Sequence, residues 1–122
     1  MAGQKLHIKR VYEPADTTDG VRILVDRLWP RGLSRERAKI DLWMKEIAPS
    51  DTLRRRLHRD PSAWGDFKTA YYAELERASA QPALHDLIER LARGPVTLLF
   101  AARDETRNNA VALRKWLEDR VG

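Results

Sequence analysis

Cysteine is absent from this chain of 122 residues, which excludes disulfides, thiolate metal sites and a cysteine nucleophile together. Histidine is scarce. His7, His58 and His85 are spaced so that no two share a helix face, and a structural zinc site is not expected. No stretch approaches the roughly 18 consecutive apolar residues of a membrane helix. The opening Met1-Ala2-Gly3-Gln4-Lys5 runs into a strand-like segment without the apolar region of a signal peptide. A soluble, cytoplasmic protein with no membrane partner is therefore expected. Neither a P-loop nor a G-x-G-x-x-G run occurs, so the common nucleotide fingerprints are missing. A Ser-His-Asp order, a paired-carboxylate motif and metal-ligand spacing are missing as well, and no particular cofactor is implied.

What is present is a globular balance, 43% hydrophobic and 34% charged, in a length that suits one core and one domain over residues 1–122. The net charge of +5 is concentrated. Residues 27–59 hold ten Lys or Arg against four Asp or Glu, so this segment alone carries +6 and the remainder −1. Such a segment is either a solvated helical surface or a patch that attracts phosphate, nucleotide or nucleic acid.

Leu6 to Tyr12 reads as a short strand, Val21 to Asp26 as a more buried one, and Val96 to Ala102, introduced by Gly94-Pro95, as a third. Helices are expected in most of the rest. Ser34 caps a short basic turn, Asp41 caps Leu42 to Ile47, and Pro49-Ser50-Asp51 opens a helix with Leu53 and Leu57 on one side. Asp60-Pro61 opens another, with an apolar stripe of Trp64, Phe67, Tyr71, Leu75 and Ala78. Pro82 begins a helix carrying Leu84, Leu87, Ile88 and Leu91, and the last helix, about 106–120, buries Ala110, Leu113 and Leu117. Strands separated by helical mass predict an α/β fold, a small and at least partly parallel sheet covered by helices in a single compact domain. If the second and third strands are parallel, the residues after each lie on one edge, where open α/β sheets place ligands.

Those residues supply the candidate site. Asp26 ends the second strand, and Arg27, Trp29 and Arg31 follow it around a rigid Pro30-Gly32 turn. Guanidinium forks match phosphate or carboxylate oxygens, and an indole beside them walls a pocket or stacks on a base. Arg22, a charge inside a buried strand, needs a partner or a wet cavity. The loop after the third strand offers Arg103 and the amides of Asn108 and Asn109 at a helix N-terminus, where Asp104 and Thr106 equally serve as plain caps. Candidate acid-base residues are Asp26, Glu46 and His58; the histidine shares a helix face with Arg54. The reading these support is a small anionic ligand, phosphate- or nucleotide-like, held between the two loops, with hydrolase or transferase chemistry open. The alternative is a nucleic-acid-binding accessory protein, or a basic interaction module, using the helical segment 35–59.

The chain resembles the YeaO-like bacterial family, domain of unknown function 488. The likeness rests on Lys9-Arg10-Val11-Tyr12 with Pro14, Asp19-Gly20, and the run Arg22 to Gly32 that contains Asp26-Arg27-Leu28-Trp29-Pro30-Arg31-Gly32. It continues through Trp43, Lys45-Glu46, Pro49-Ser50, Leu53-Arg54, His58, Thr97-Leu98-Leu99 and Asn108, almost the whole chain. The resemblance implies a compact α/β fold. More distant relatives carry a Cys-His-Arg-like sequence in the last loop, where this chain has Arg107-Asn108-Asn109, so thiol chemistry does not transfer.

Overall fold

The computed structural model describes residues 6–121. Four parallel strands form one sheet in the order β1-β4-β2-β3, with β1 at Leu6–Arg10, β2 at Val21–Leu24, β3 at Leu42–Trp43 and β4 at Val96–Phe100. Strand β4 lies between β1 and β2, with Leu98 opposite both Ile8 and Ile23. Covered on both faces, it is apolar at nearly every position and buried throughout. Because every strand runs the same way, the segments after β1, β2 and β4 all emerge at one edge.

Side-chain alternation along the strands divides the core. Ile23, Val25, Val96, Leu98 and Phe100 face the larger cluster. There they meet three helices, α3 (Trp64–Leu75), α4 (Gln81–Arg93) and α5 (Asn109–Val121). Phe67, Tyr71 and Leu75 recur at i, i+4 and i+8 on α3, and Leu84, Leu87 and Leu91 at helical spacing on α4; all are buried in that cluster. Each such side chain contributes on the order of 1.5–3 kcal/mol by leaving water. Leu24 and Leu99 face the other way, into a smaller cluster with Val11, Ala38 and Ile40, onto which Trp29, Leu33 and Trp43 pack. The loop after β2 thus folds back over the sheet instead of projecting from it.

Capping sets the shorter helices. The Ser34 hydroxyl accepts from the Arg37 amide at the start of α1 (Arg35–Ala38), and Ser50 does the same for Leu53 in α2 (Asp51–Arg59). Gly20, at φ 65°, leads into β2; a Cβ there would stand 2.0 Å from the Pro95 carbonyl oxygen, which accepts from the Val21 amide.

Several boundaries differ from the sequence reading, the three expected strands each ending two residues early, at Arg10, Leu24 and Phe100. Leu42–Trp43 is an edge strand, not the start of a helix, and only Lys45–Ile47 turns, as a 3-10 segment. Ladder bonds from Asp41 N to Arg22 O and from Met44 N to Leu24 O, both 2.9 Å, hold this stretch extended. The Asp41 carboxylate accepts from the Arg22 amide at 2.8 Å instead of capping a helix. Ala78 falls in a separate 3-10 turn beyond α3. The last helix begins at Asn109, because Asp104 closes a turn on Thr106 N and Arg107 N while the Asn108 side chain accepts from Val111 N.

Candidate anion-binding edge

Asp26 stands just past β2 and ties the edge together. One carboxylate oxygen accepts from the Ala101 amide at 2.9 Å and the other from Asn109 Nδ2 at 3.0 Å. Its carbonyl accepts from Trp43 Nε1 at 2.7 Å. Burial raises the Asp26 pKa above the ordinary carboxylate value, against the lowering effect of the Asn109 and Ala101 hydrogen bonds and the nearby Arg54 charge. Tyr71, which feels the Asp26 charge, is fully buried and donates to the Ile47 carbonyl at 2.5 Å. Burial foremost, then the charges of Asp26 and Glu74, push its phenol well above the usual range.

The amides expected to orient a ligand are occupied by the fold. Asn108 is 1% exposed; its Nδ2 donates to the Asp104 carbonyl at 2.9 Å while its Oδ1 caps α5. Asn109 Nδ2 is shared between Asp26 and the Val25 carbonyl at 2.8 Å. The Trp29 indole donates to the Leu33 carbonyl at 2.7 Å and meets Trp43 edge to face, with 5.2 Å between ring centroids, so it seals the smaller core.

Arg22 is placed apart from this edge. It lies on the sheet face covered by α1 and its guanidinium bonds Asp19 at 2.6 Å, the Ala38 carbonyl at 2.8 Å and the Lys39 carbonyl at 3.0 Å. Asp19 is bound in turn by Lys9. Glu46 and His58 do not join Asp26 either. Glu46 is exposed on a depression of about 380 Å³ that it shares with Trp43, Pro82 and Asp86. His58 is exposed near the end of α2, with no hydrogen bond or ion pair among the described residues. A larger depression, about 550 Å³ between Gly20, Asp41, Arg93 and Pro95, lies at the opposite edge, where β2 and β4 begin.

The cations at the edge where the strands end are a different matter. Arg27, Arg31 and Arg103 are exposed and have no carboxylate partner among the described residues, whereas Arg54 and Arg55 share Asp51, Arg56 pairs with Asp66 and Arg107 with Asp104. Arg27 spends only Nε, on the Pro49 carbonyl at 3.2 Å. Two residues that the sequence reading left out belong here. Arg10, at the end of β1, donates to the Ala101 and Ala102 carbonyls at 3.0–3.3 Å and lies 4.9 Å from the centroid of the Tyr12 ring. The Tyr12 hydroxyl donates to the Arg31 carbonyl at 3.1 Å. The signal was the parallel pairing of β1 with β4, which a short alternating run does not disclose.

Two comparisons with known proteins match this chain over most of its length. The family described as the inactive DUF488-N3 subclade matches residues 5–122. The chain belongs to the YeaO-like DUF488 family. It is 42% identical over 113 residues to the uncharacterised protein YeaO of Escherichia coli, covering 92% of this chain and 96% of that one. It is 36% identical over 116 residues to an uncharacterised protein of Mycobacterium tuberculosis, covering 95% and 96% respectively. No solved structure matches. Among the described residues no helix is long and apolar enough to cross a membrane.

Proposed function

We propose that this domain binds a small phosphate-bearing anion on the open edge where β1, β2 and β4 end, with Arg31 and Arg103 as the principal contacts and Arg27 alongside. The observation that carries the reading is placement: Arg27, Arg31 and Arg103, exposed and without a carboxylate partner among the described residues, follow β2 and β4 at one edge of the sheet, while Arg54, Arg55 and Arg56 on α2 are matched to carboxylates. Exposed guanidinium forks suit phosphate oxygens. The reading is of binding without chemistry. Both Asp26 oxygens already accept bonds that hold the edge, and Glu46 and His58 stand on other elements. The description of the matching subclade as inactive agrees with this.

A basic docking surface on α2 for nucleic acid or an acidic partner is the second reading, favoured by the exposure of Arg55, Arg56, His58 and Arg59. The pairing of Arg55 with Asp51 and Arg56 with Asp66 leaves that helix less free positive charge than its sequence promises.

Thermal melting against phosphate, pyrophosphate and nucleotides, at two salt concentrations, tests the first reading. A ligand at about a hundredfold its Kd adds roughly 2.7 kcal/mol, a shift on the order of 10 °C for a domain of this size. Wild type is expected to shift, Arg31→Ala and Arg103→Ala to shift little, and Arg31→Lys to recover only part, since an ammonium lacks the fork. If none of these anions moves the wild-type midpoint, the reading is wrong. Affinity for oligonucleotides alone, falling steeply with salt and lost in Arg55→Ala/Arg59→Ala, supports the second instead.

A further inference from the structure

We infer that the ligand of this edge is a nucleotide unit, its base stacked on Tyr12 and its phosphate held by the adjacent arginines; this rests on the phosphate-binding reading above. Among the described residues Tyr12 and Leu28 are the large apolar side chains left exposed, at 43% and 56%. One follows β1 and the other follows β2, so both stand at the edge that carries Arg27, Arg31 and Arg103. Two exposed apolar groups scattered at random need no explanation, but these two share an edge with the unpaired cations.

Tyr12 is also held in place. Its hydroxyl is tethered to the Arg31 carbonyl at 3.1 Å, which joins the segment after β1 to the loop after β2. Arg10 lies over the ring at 4.9 Å from its centroid and is itself anchored to the Ala101 and Ala102 carbonyls, next to Arg103. The ring is thus tied to the loop that supplies Arg31 and, through Arg10, to the loop that supplies Arg103, with a guanidinium over it and 43% of the residue still exposed. A pre-positioned aromatic ring beside positive charge is how proteins take up a base and its phosphate together, because stacking tolerates any base while the cations meet the backbone charge. A bare phosphate or sugar phosphate would use the arginines and leave the exposed apolar surface of Tyr12 and Leu28 uncovered. A nucleotide, free or within a single strand, uses both.

Calorimetric titration of wild type, Tyr12→Ala and Tyr12→Phe tests this with AMP, CMP, ribose 5-phosphate, O-phosphotyrosine, and a short oligothymidylate with its abasic counterpart. Base-bearing ligands are expected to bind wild type on the order of five- to a hundredfold tighter than their base-free counterparts. Tyr12→Ala should bring the ratio of base-bearing to base-free affinity to about one, whatever the lost Arg31 tether does to both affinities together, and Tyr12→Phe, which keeps the ring, should retain most of that ratio. A larger gain for the oligonucleotide than for AMP identifies a single strand as the source, and the reverse a free nucleotide. Equal affinity for base-bearing and base-free ligands, or indifference to Tyr12→Ala, overturns the nucleotide assignment and leaves the phosphate reading standing. Tighter binding of O-phosphotyrosine than of any nucleotide overturns it too. Absence of binding by every phosphate tested overturns both.

Discussion

Replacing Arg22 by Met should make this protein unfold more readily. Arg22 and Asp19 have side chains only 4% and 6% exposed and meet at 2.6 Å. The same guanidinium satisfies the carbonyls of Ala38 and of Lys39, the residue that ends α1 in the left-handed region at φ 52°. Met fills similar volume but removes the charge and three donors. Breaking one side of a buried pair costs about 3–5 kcal/mol. Asp19 keeps Lys9 and the Asp16 amide, both at 3.0 Å, which puts the cost near the lower figure. For a domain of this length that is a fall in melting temperature of roughly 10–15 °C. Asp19→Asn in the same chain removes the stranded carboxylate and should recover part of the loss, a coupling that a double-mutant cycle reads directly. Acid titration adds a second signature. Burial raises the Asp19 pKa, but the Asp16 amide together with Lys9 and Arg22 outweighs it and leaves the group below its ordinary value. A folded value below the unfolded one contributes stability that is present above about pH 4 and lost as pH falls through the folded pKa. Arg22→Met should flatten that acid limb. Calorimetry and circular dichroism between pH 2 and 7 measure both effects. A variant melting within about 2 °C of wild type, with an unchanged acid limb, would refute the reasoning and free Arg22 for a ligand.

Gly20→Ala should destabilise by about 1–3 kcal/mol from its backbone conformation alone. Its clash with the Pro95 carbonyl adds to this, and urea unfolding checks the sum. Asn108→Ala removes the cap of α5 and the donor to the Asp104 carbonyl, for a loss of about 1–2 kcal/mol by the same measurement. Asp104 has its pKa lowered to about 2, chiefly by the Arg107 and Thr106 amides. Its contribution is therefore present above pH 4 and disappears as pH falls toward 2, and NMR titration of its carboxyl carbon should place the midpoint there.

The large elements were legible because their signals are periodic. The stripe from Trp64 to Leu75 repeats over three turns, and the buried run from Val96 to Phe100 has no reading but a covered strand. The helical mass between the strands suggested an at least partly parallel sheet, but the parallel pairing of β2 with β4 was a supposition until the structure supplied it. What escaped depends on contacts between distant segments. Two residues, Leu42 and Trp43, are too few to show a period, and their strand exists because β2 offers an open edge. The site candidates were legible by type but not by commitment. Sequence marks Arg22, Asn108 and Trp29 as polar or aromatic groups near the right edge, yet whether each is free or spent depends on carbonyls 4 to 17 residues away. Tyr12 escaped for the opposite reason. At the end of an ordinary strand nothing local distinguishes it, and its tether to Arg31 crosses 19 residues.

Asp26 is committed to holding this edge together. A general base needs a carboxylate oxygen turned toward the proton it removes. Here one oxygen is directed at Ala101 N and the other at Asn109 Nδ2, so the carboxylate faces inward along the seam between β2, β4 and α5. Burial raises its pKa, and with the folded value above the unfolded one the group weakens the fold as pH rises through that window. An enzyme gains from such a group when the substrate completes its surroundings. In this chain each carboxylate oxygen already accepts one bond from the fold, and the Asp26 carbonyl is also taken by Trp43. The inner layer of the edge is thus a set of mutual hydrogen bonds centred on Asp26, and the outer layer is a set of arginines and a tyrosine with capacity left over. On the proposed reading, a ligand lying on that outer layer would meet charge and an aromatic ring, and Asp26 would act on it only by giving up bonds that hold β2 to β4 and α5.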